Sequence, residues 1–115
     1  MTGGRASKAK GSRRERQIVN LHRALGIDAE RVPLSGAAGG SYSGDVDIRP
    51  FGPERQTLVA ECKARKDGAG FAQLEKWLGD NDLLFLVKDR SEPLVTMPWR
   101  TWELLLRRIR ALSRP

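Results

Sequence analysis

The stretch Gly44-Asp45-Val46-Asp47-Ile48-Arg49-Pro50-Phe51-Gly52-Pro53-Glu54-Arg55-Gln56-Thr57-Leu58-Val59-Ala60-Glu61-Cys62-Lys63-Ala64-Arg65 decides how this chain folds. It reads as two strands joined by a turn. Successive side chains of a strand point to opposite faces, which places Val59, Glu61, Lys63 and Arg65 on one side and Leu58, Ala60, Cys62 and Ala64 on the other. The same alternation sets Asp45, Asp47 and Arg49 against Val46 and Ile48. One face is charged and the other small and apolar. Antiparallel pairing through the turn Pro50-Phe51-Gly52-Pro53-Glu54 is expected to bring Asp47 close to Glu61.

Two carboxylates roughly 4–5 Å apart repel by about 1–4 kcal/mol, depending on the local dielectric. A divalent cation removes that cost, and hard carboxylate oxygens suit Mg²⁺ or Mn²⁺. Lys63 lies one strand period beyond Glu61, where an ammonium can orient an attacking water or stabilise charge developing on a phosphate. The competing reading is a solvated sheet face with alternating charges, the usual fate of such residues taken singly.

Asp47, a turn, and Glu61-Cys62-Lys63 resemble the PD-(D/E)XK nuclease signature. Their surroundings are similar to the archaeal-type Holliday junction resolvases of that superfamily. Lys10-Gly11-Ser12-Arg13-Arg14-Glu15-Arg16 and Arg31-Val32-Pro33-Leu34-Ser35-Gly36 match, in order and spacing, what that family places ahead of its catalytic hairpin. The resemblance runs from about Lys10 to Lys66 and is only general beyond. It implies that Asp47 and Glu61 ligate a metal, that Cys62 adds its backbone carbonyl, and that Lys63 is the catalytic lysine. Glu15 matches the helical glutamate that completes the acidic cluster. Gly44-Asp45-Val46-Asp47-Ile48 offers two aspartates on one face, so Asp45 is also a candidate ligand. Asp47 is preferred, since it lies between hydrophobic neighbours at the usual distance from Glu61. Glu15 has a structural reading too, because Ser12-Arg13-Arg14-Glu15 is a capping box at a helix start.

With 115 residues, 39% of them hydrophobic, the chain suffices for one small core. The expected organisation is a flexible basic arm over 1–11 and a single domain over 12–115. The net charge is +7. Its excess sits at the two ends, in Arg5, Lys8, Lys10, Arg13, Arg14 and Arg16, and in Arg100, Arg107, Arg108, Arg110 and Arg114. Such patches suit a polyanion, whose counterions are released when lysine and arginine neutralise its phosphates. Nucleic acid is the expected partner.

A single cysteine, Cys62, excludes an intramolecular disulfide and a cysteine-based zinc site, and it fits a reducing compartment. It lies on the apolar face of its strand, so core packing is its expected role. The only histidine, His22, flanks the stripe Ile18, Leu21 and Leu25 and is expected to be partly buried or at the surface. No apolar run reaches the ~18 residues of a membrane span, and Met1 to Ser12 lacks a secretory signal's apolar core. A cytoplasmic location, in the nucleoid or a host cell, is expected.

Along the chain, Ser12 is expected to open a helix that Gly26 ends, and Arg31 to Ser35 to form a short strand before the glycine-rich loop Gly36 to Gly44. After the catalytic hairpin, Phe71, Leu74, Trp77 and Leu78 outline a second amphipathic helix. Leu83 to Val87 reads as a buried strand and Leu94 to Met97 as another. Pro98 suits the first turn of a last helix, whose Trp102, Leu105, Leu106, Ile109 and Leu112 face a core or a partner. The fold class is α/β, in the order αβββαββα, with helices flanking a mixed central sheet. That order agrees with the restriction-endonuclease-like core the resemblance implies. Trp77, Trp99 and Trp102 sit where helix packing uses them, and no zinc finger or phosphate-cradling Gly-Lys-Ser/Thr motif occurs.

Taken together, the expectation is a metal-dependent endonuclease acting on branched DNA, with a homodimer matching the two-fold symmetry of a four-way junction. Catalysis falls to Glu15, Asp47, Glu61 and Lys63. DNA contacts fall to Lys10, Arg13, Arg14, Arg16, Ser35, Arg65 and Lys66. The alternatives are a nuclease of the same superfamily acting on duplex or flapped DNA, a non-catalytic DNA-binding protein on that fold, and an RNA-binding basic domain. The small size and basic ends suit a phage or archaeal protein by analogy.

Overall fold

The computed structural model describes residues 3–32 and 45–113, with side chains from Ser12 onward in the first segment. Three helices and five strands follow in the order αβββαββα: α1 (Gly3–Ala24), β1 (Asp28–Arg31), β2 (Val46–Arg49), β3 (Leu58–Ala60), α2 (Ala72–Leu78), β4 (Leu84–Leu86), β5 (Leu94–Thr96) and α3 (Trp99–Leu112). This is an α/β chain consistent with a restriction-endonuclease-like core. The pairings described are all antiparallel, in a three-stranded sheet ordered β1-β2-β3 and a two-stranded β4-β5 sheet. No parallel pairing that would make one mixed sheet is among them.

The chain divides into two compact units, Met1–Ala64 with Ile109–Pro115, and Arg65–Arg108. In the first, α1 packs on β1 and β2. Its core is Val19, Ile27, Ala29, Val32, Val46 and Ile48, all buried. Alternation along the strands accounts for this directly: Ala29 lies opposite Ile48, and Val46 opposite Ala60. The intervening Asp28, Glu30, Asp47 and Arg49 occupy the other face.

Helix α1 begins at Gly3, well before Ser12. Ser12 is therefore an interior position, and the capping-box reading of Ser12 and Glu15 does not hold. The buried face also differs from the apolar stripe. Glu15, Val19 and His22 are the inward residues, while Leu21 is exposed. Spacings of four and three keep those residues on one face, but two of the three are polar, so counting apolar side chains alone selects the wrong stripe. His22, expected to be partly buried or at the surface, is 1% exposed, and its Nδ1 donates to the Ile18 carbonyl at 2.7 Å.

The helix ends as the glycine predicts. Gly26 N donates to Arg23 O at 2.9 Å and Ile27 N to His22 O at 3.0 Å, the paired bonds of a Schellman motif around Gly26 at φ +80°. The chain turns at once into β1, which starts at Asp28 rather than Arg31. Ser35 and the loop Gly36 to Gly44 lie outside the described residues.

In the second unit, Phe71 precedes α2 without a side-chain cap, and Gly79 closes it by donating to Glu75 O at 2.9 Å. The run Leu83 to Val87 is not buried as a continuous strand. Leu84 and Leu86 are half-covered, and Leu83, Phe85 and Val87 are exposed. Pro98 sets the start of α3, its carbonyl accepting from Thr101 N and Trp102 N. Buried Thr101 donates its hydroxyl to Asp82 O at 2.9 Å, and Leu106 is fully buried.

Candidate active site

The β2–β3 ladder pairs Val46 with Ala60, Asp47 with Val59 and Ile48 with Leu58. Just before the ladder, Asp45 is hydrogen-bonded to the strand end at Ala60 and Cys62. Its backbone N donates to Ala60 O at 2.8 Å, and its Oδ2 accepts the Cys62 backbone N–H at 2.8 Å. The Asp45 carboxylate is thereby tied to the segment Glu61-Cys62-Lys63.

Asp47 lies elsewhere on the same face. It is opposite Val59 on one side and Glu30 on the other, and its Oδ2 is 3.7 Å from Arg49 Nη2. The expected pairing of Asp47 with Glu61 differs from this register by two residues. The connection spans the residues between Arg49 and Leu58, longer than the expected turn Pro50 to Glu54. A slip of two leaves every side chain on its own face and changes only its partner.

Glu61 and Lys63 lie just past β3. Glu61 Oε1 and Lys63 Nζ are 3.2 Å apart, with 53% and 63% of their side chains exposed. Such an exposed pair adds little stability, which leaves both groups open to a substrate. Glu15, on α1, is buried, and its Oε1 accepts from Arg31 Nε at 3.0 Å. Arg31 Nη2 also donates to Ser12 Oγ at 3.0 Å. Ser12 anchors the guanidinium that holds Glu15.

The Cys62 thiol feels both its burial and the surrounding negative charge. Burial pushes its thiol up, and the charges of Asp45, Glu15 and Glu61 push it further. A neutral, half-buried thiol is a packing group rather than a nucleophile. Among the described residues no three His, Cys, Asp or Glu side chains gather closely enough to hold a metal by themselves. Mg²⁺ requires no such cage, since it is commonly held by one or two carboxylates with waters and phosphate oxygens completing the shell. Asp45, Glu61 and the Cys62 carbonyl are hard-oxygen donors, the chemistry that suits it. Glu15, already engaged by Arg31, fits a supporting charge better than a ligand.

Asp47 belongs to a different network. Arg49 donates from Nη1 to Asp28 Oδ2 at 3.0 Å and from Nη2 to Glu30 Oε1 at 2.8 Å. Hydrogen bonds to Glu30 and then Asp28 raise the guanidinium above its ordinary range. That cation offsets the like charges of Glu30 and Asp47, which face each other across the ladder.

Of the expected DNA contacts, Arg13, Arg14 and Arg16 are exposed along α1, with Arg14 Nη1 donating to Gln17 Oε1 at 3.1 Å. Arg65 and Lys66 are exposed in the second unit. Lys10 lies in α1 with its side chain outside the described set, and Ser35 lies outside it altogether. Arg31 was missed as a site residue. Its alternation with Glu30 was the available signal, since it marks Arg31 as a cation on the inward face of β1.

Among the described residues, no helix is long and apolar enough to cross a membrane. Residues 6–111 match the family model described as phage putative PDDEXK endonuclease. No curated protein matches the chain, and no solved structure does.

Proposed function

The chain belongs to the phage putative PDDEXK endonuclease family, a family of nucleases, and from that premise we propose that it is a metal-dependent endonuclease that cuts branched DNA, four-way junctions above all. The observation that carries this reading is the bond of the Asp45 carboxylate to the Cys62 N–H at 2.8 Å, within the segment where Lys63 lies 3.2 Å from the Glu61 carboxylate. Acid, acid and ammonium at one strand end are what phosphodiester hydrolysis asks of a protein.

Asp45, Glu61 and the Cys62 carbonyl would hold the metal, and the preferred ligand aspartate becomes Asp45 in place of Asp47. When bound, Mg²⁺ or Mn²⁺ supplies positive charge that acidifies water and offsets charge building on the scissile phosphate. Lys63 donates hydrogen bonds to the attacking water or to a phosphate oxygen. The Cys62 N–H fixes the rotamer of Asp45, so that its second oxygen is held for the metal. Arg31 holds the Glu15 carboxylate in place. Arg13, Arg14 and Arg16 bind backbone phosphates and set the position of the cut.

Two symmetric nicks in a four-way junction call for two such sites related by a two-fold axis, so the active species in this reading is a homodimer. Substrate preference is tested by cleavage of a labelled four-way junction beside its linear duplex, with Mg²⁺ or EDTA and with Glu61→Ala. Paired cuts confined to the junction, lost with EDTA and in the variant, are expected. A preference of at least ~10-fold corresponds to about 1.4 kcal/mol. Equal cutting of the duplex would replace the junction with a general DNA substrate, and binding without any cut would reduce the carboxylates to a structural face.

A further inference from the structure

The far end of the hairpin, away from Asp45 and Glu61, carries a second feature that the cleavage chemistry does not use. Between β2 and β3 the chain runs Pro50-Phe51-Gly52-Pro53-Glu54-Arg55-Gln56-Thr57. Two prolines and two backbone bonds, Gly52 N to Arg49 O at 3.3 Å and Arg55 N to Gly52 O at 3.1 Å, restrain it. Gly52 adopts φ +116°, a conformation that a side chain would disfavour. Such a restrained turn buries its apolar residues where it can. Pro50 is buried, yet Phe51 stands 44% exposed, the one large aromatic exposed among the described residues of its unit.

Phe51 does not stand on a flat surface. With Arg55, Gln56 and Ser113 it lines an open cavity of about 540 Å³, within the size range of small-ligand sites. The cavity offers an aromatic face, a guanidinium and a carboxamide, which are the groups that stack on a base and hydrogen-bond its edge. Ser113 adds little, since its hydroxyl donates to Ile109 O at 2.8 Å. Glu54 and Arg55 cancel in formal charge, so the tip attracts a polyanion less than α1 does. Selection there rests on stacking rather than on charge.

We propose that the cavity lined by Phe51, Arg55, Gln56 and Ser113 at the tip of the β2–β3 hairpin takes one unpaired nucleobase of the DNA substrate, stacked on Phe51. Stacking requires a base outside the duplex stack, which branch points and single-stranded arms provide and a continuous duplex does not. The inference rests on the nuclease reading and gives it a physical source of preference for branched over linear DNA. Because Phe51 and Asp45 lie at opposite ends of β2, the captured base lies several residues of strand length from the phosphate that is cut, roughly 3.3 Å per residue.

The test uses the full chain carrying Glu61→Gln, which cannot cut, and fluorescence anisotropy with three probes: a labelled single-stranded 12-mer, the same 12-mer with abasic positions, and a blunt duplex. Phe51→Ala in that background is expected to weaken binding of the 12-mer by about tenfold, as loss of one stacked base would. Abasic substitution should cost the parent a similar factor and cost Phe51→Ala almost nothing further, and duplex binding should stay within twofold. Phe51→Trp should restore the affinity. If Phe51→Ala unfolds, the abasic comparison in the parent and in Phe51→Leu carries the test. Equal losses on all three probes, or additive losses from the variant and the abasic strand, would overturn the inference and leave the nuclease reading intact. A parent that binds none of the three overturns both.

Discussion

Asp45 and Asp47 lie two positions apart, yet their surroundings differ. Asp45 is tied to Cys62 N–H beside Glu61, whereas Asp47 shares Arg49 with Glu30. Asp45→Asn keeps an oxygen for the Cys62 N–H, so the fold should survive while cleavage falls by ~10²-fold or more, as when one group stabilising transition-state charge is removed. Asp47→Asn should leave the cleavage rate within about threefold. Single-turnover cleavage of the same DNA by both variants separates them, and equal losses would return the ligand role to Asp47. Arg31 yields a stability prediction. Arg31→Ala leaves the Glu15 carboxylate, 9% exposed, without its cation. Breaking a buried pair costs about 3–5 kcal/mol, and the lower figure applies because Arg31 itself is 30% exposed. Urea unfolding should show about 3 kcal/mol lost in Arg31→Ala and most of it regained in a Glu15→Met, Arg31→Met double variant. A double variant no more stable than Arg31→Ala would show that the pair is not the origin of the loss.

Elements were legible to the degree that a backbone signal marked them. Gly26 ends α1 because only a residue free of a Cβ adopts φ +80° at no cost, and Pro98 starts α3 because its missing N–H is not needed there. Gly26→Ala should cost about 1–2 kcal/mol for the left-handed conformation alone. The added Cβ would also meet Arg110 Nε at 2.8 Å, a flexible neighbour that can move aside. A thermal melt showing no loss would mean that the Schellman turn rearranges freely. The start of α1 and its buried face were not legible. A capping box at Ser12 is a local pattern, and it yields when the helix has already begun upstream. Glu15 and His22 are buried because each has a partner, Arg31 for one and the Ile18 carbonyl for the other. No count of apolar residues foresees such a partner.

At the scale of the whole molecule, the +7 charge gives the clearest prediction. If Arg13, Arg14, Arg16, Arg65 and Lys66 each neutralise one phosphate, log K for duplex DNA should fall against log salt with a slope of about −4 to −5. Replacing Arg13, Arg14 and Arg16 by alanine should flatten it by about 2–3, whatever the DNA sequence. An unchanged slope would remove α1 from the interface. Light scattering of the protein on a junction should report a dimer, twice the 12.8 kDa chain, and a monomer that still makes paired cuts would end the symmetry argument. The sequence by itself determined the α/β order of elements, the division of the hairpin into a charged and an apolar face, and the Glu61-Cys62-Lys63 segment as a candidate. Those follow from period-two alternation and from glycine and proline, which act within a few residues. Only the tertiary structure decided which aspartate is tied to the Cys62 N–H, and that Arg31, anchored by Ser12, holds Glu15. Register is set by the length of a connection, and a shift of two residues changes the partner of a side chain without changing its face.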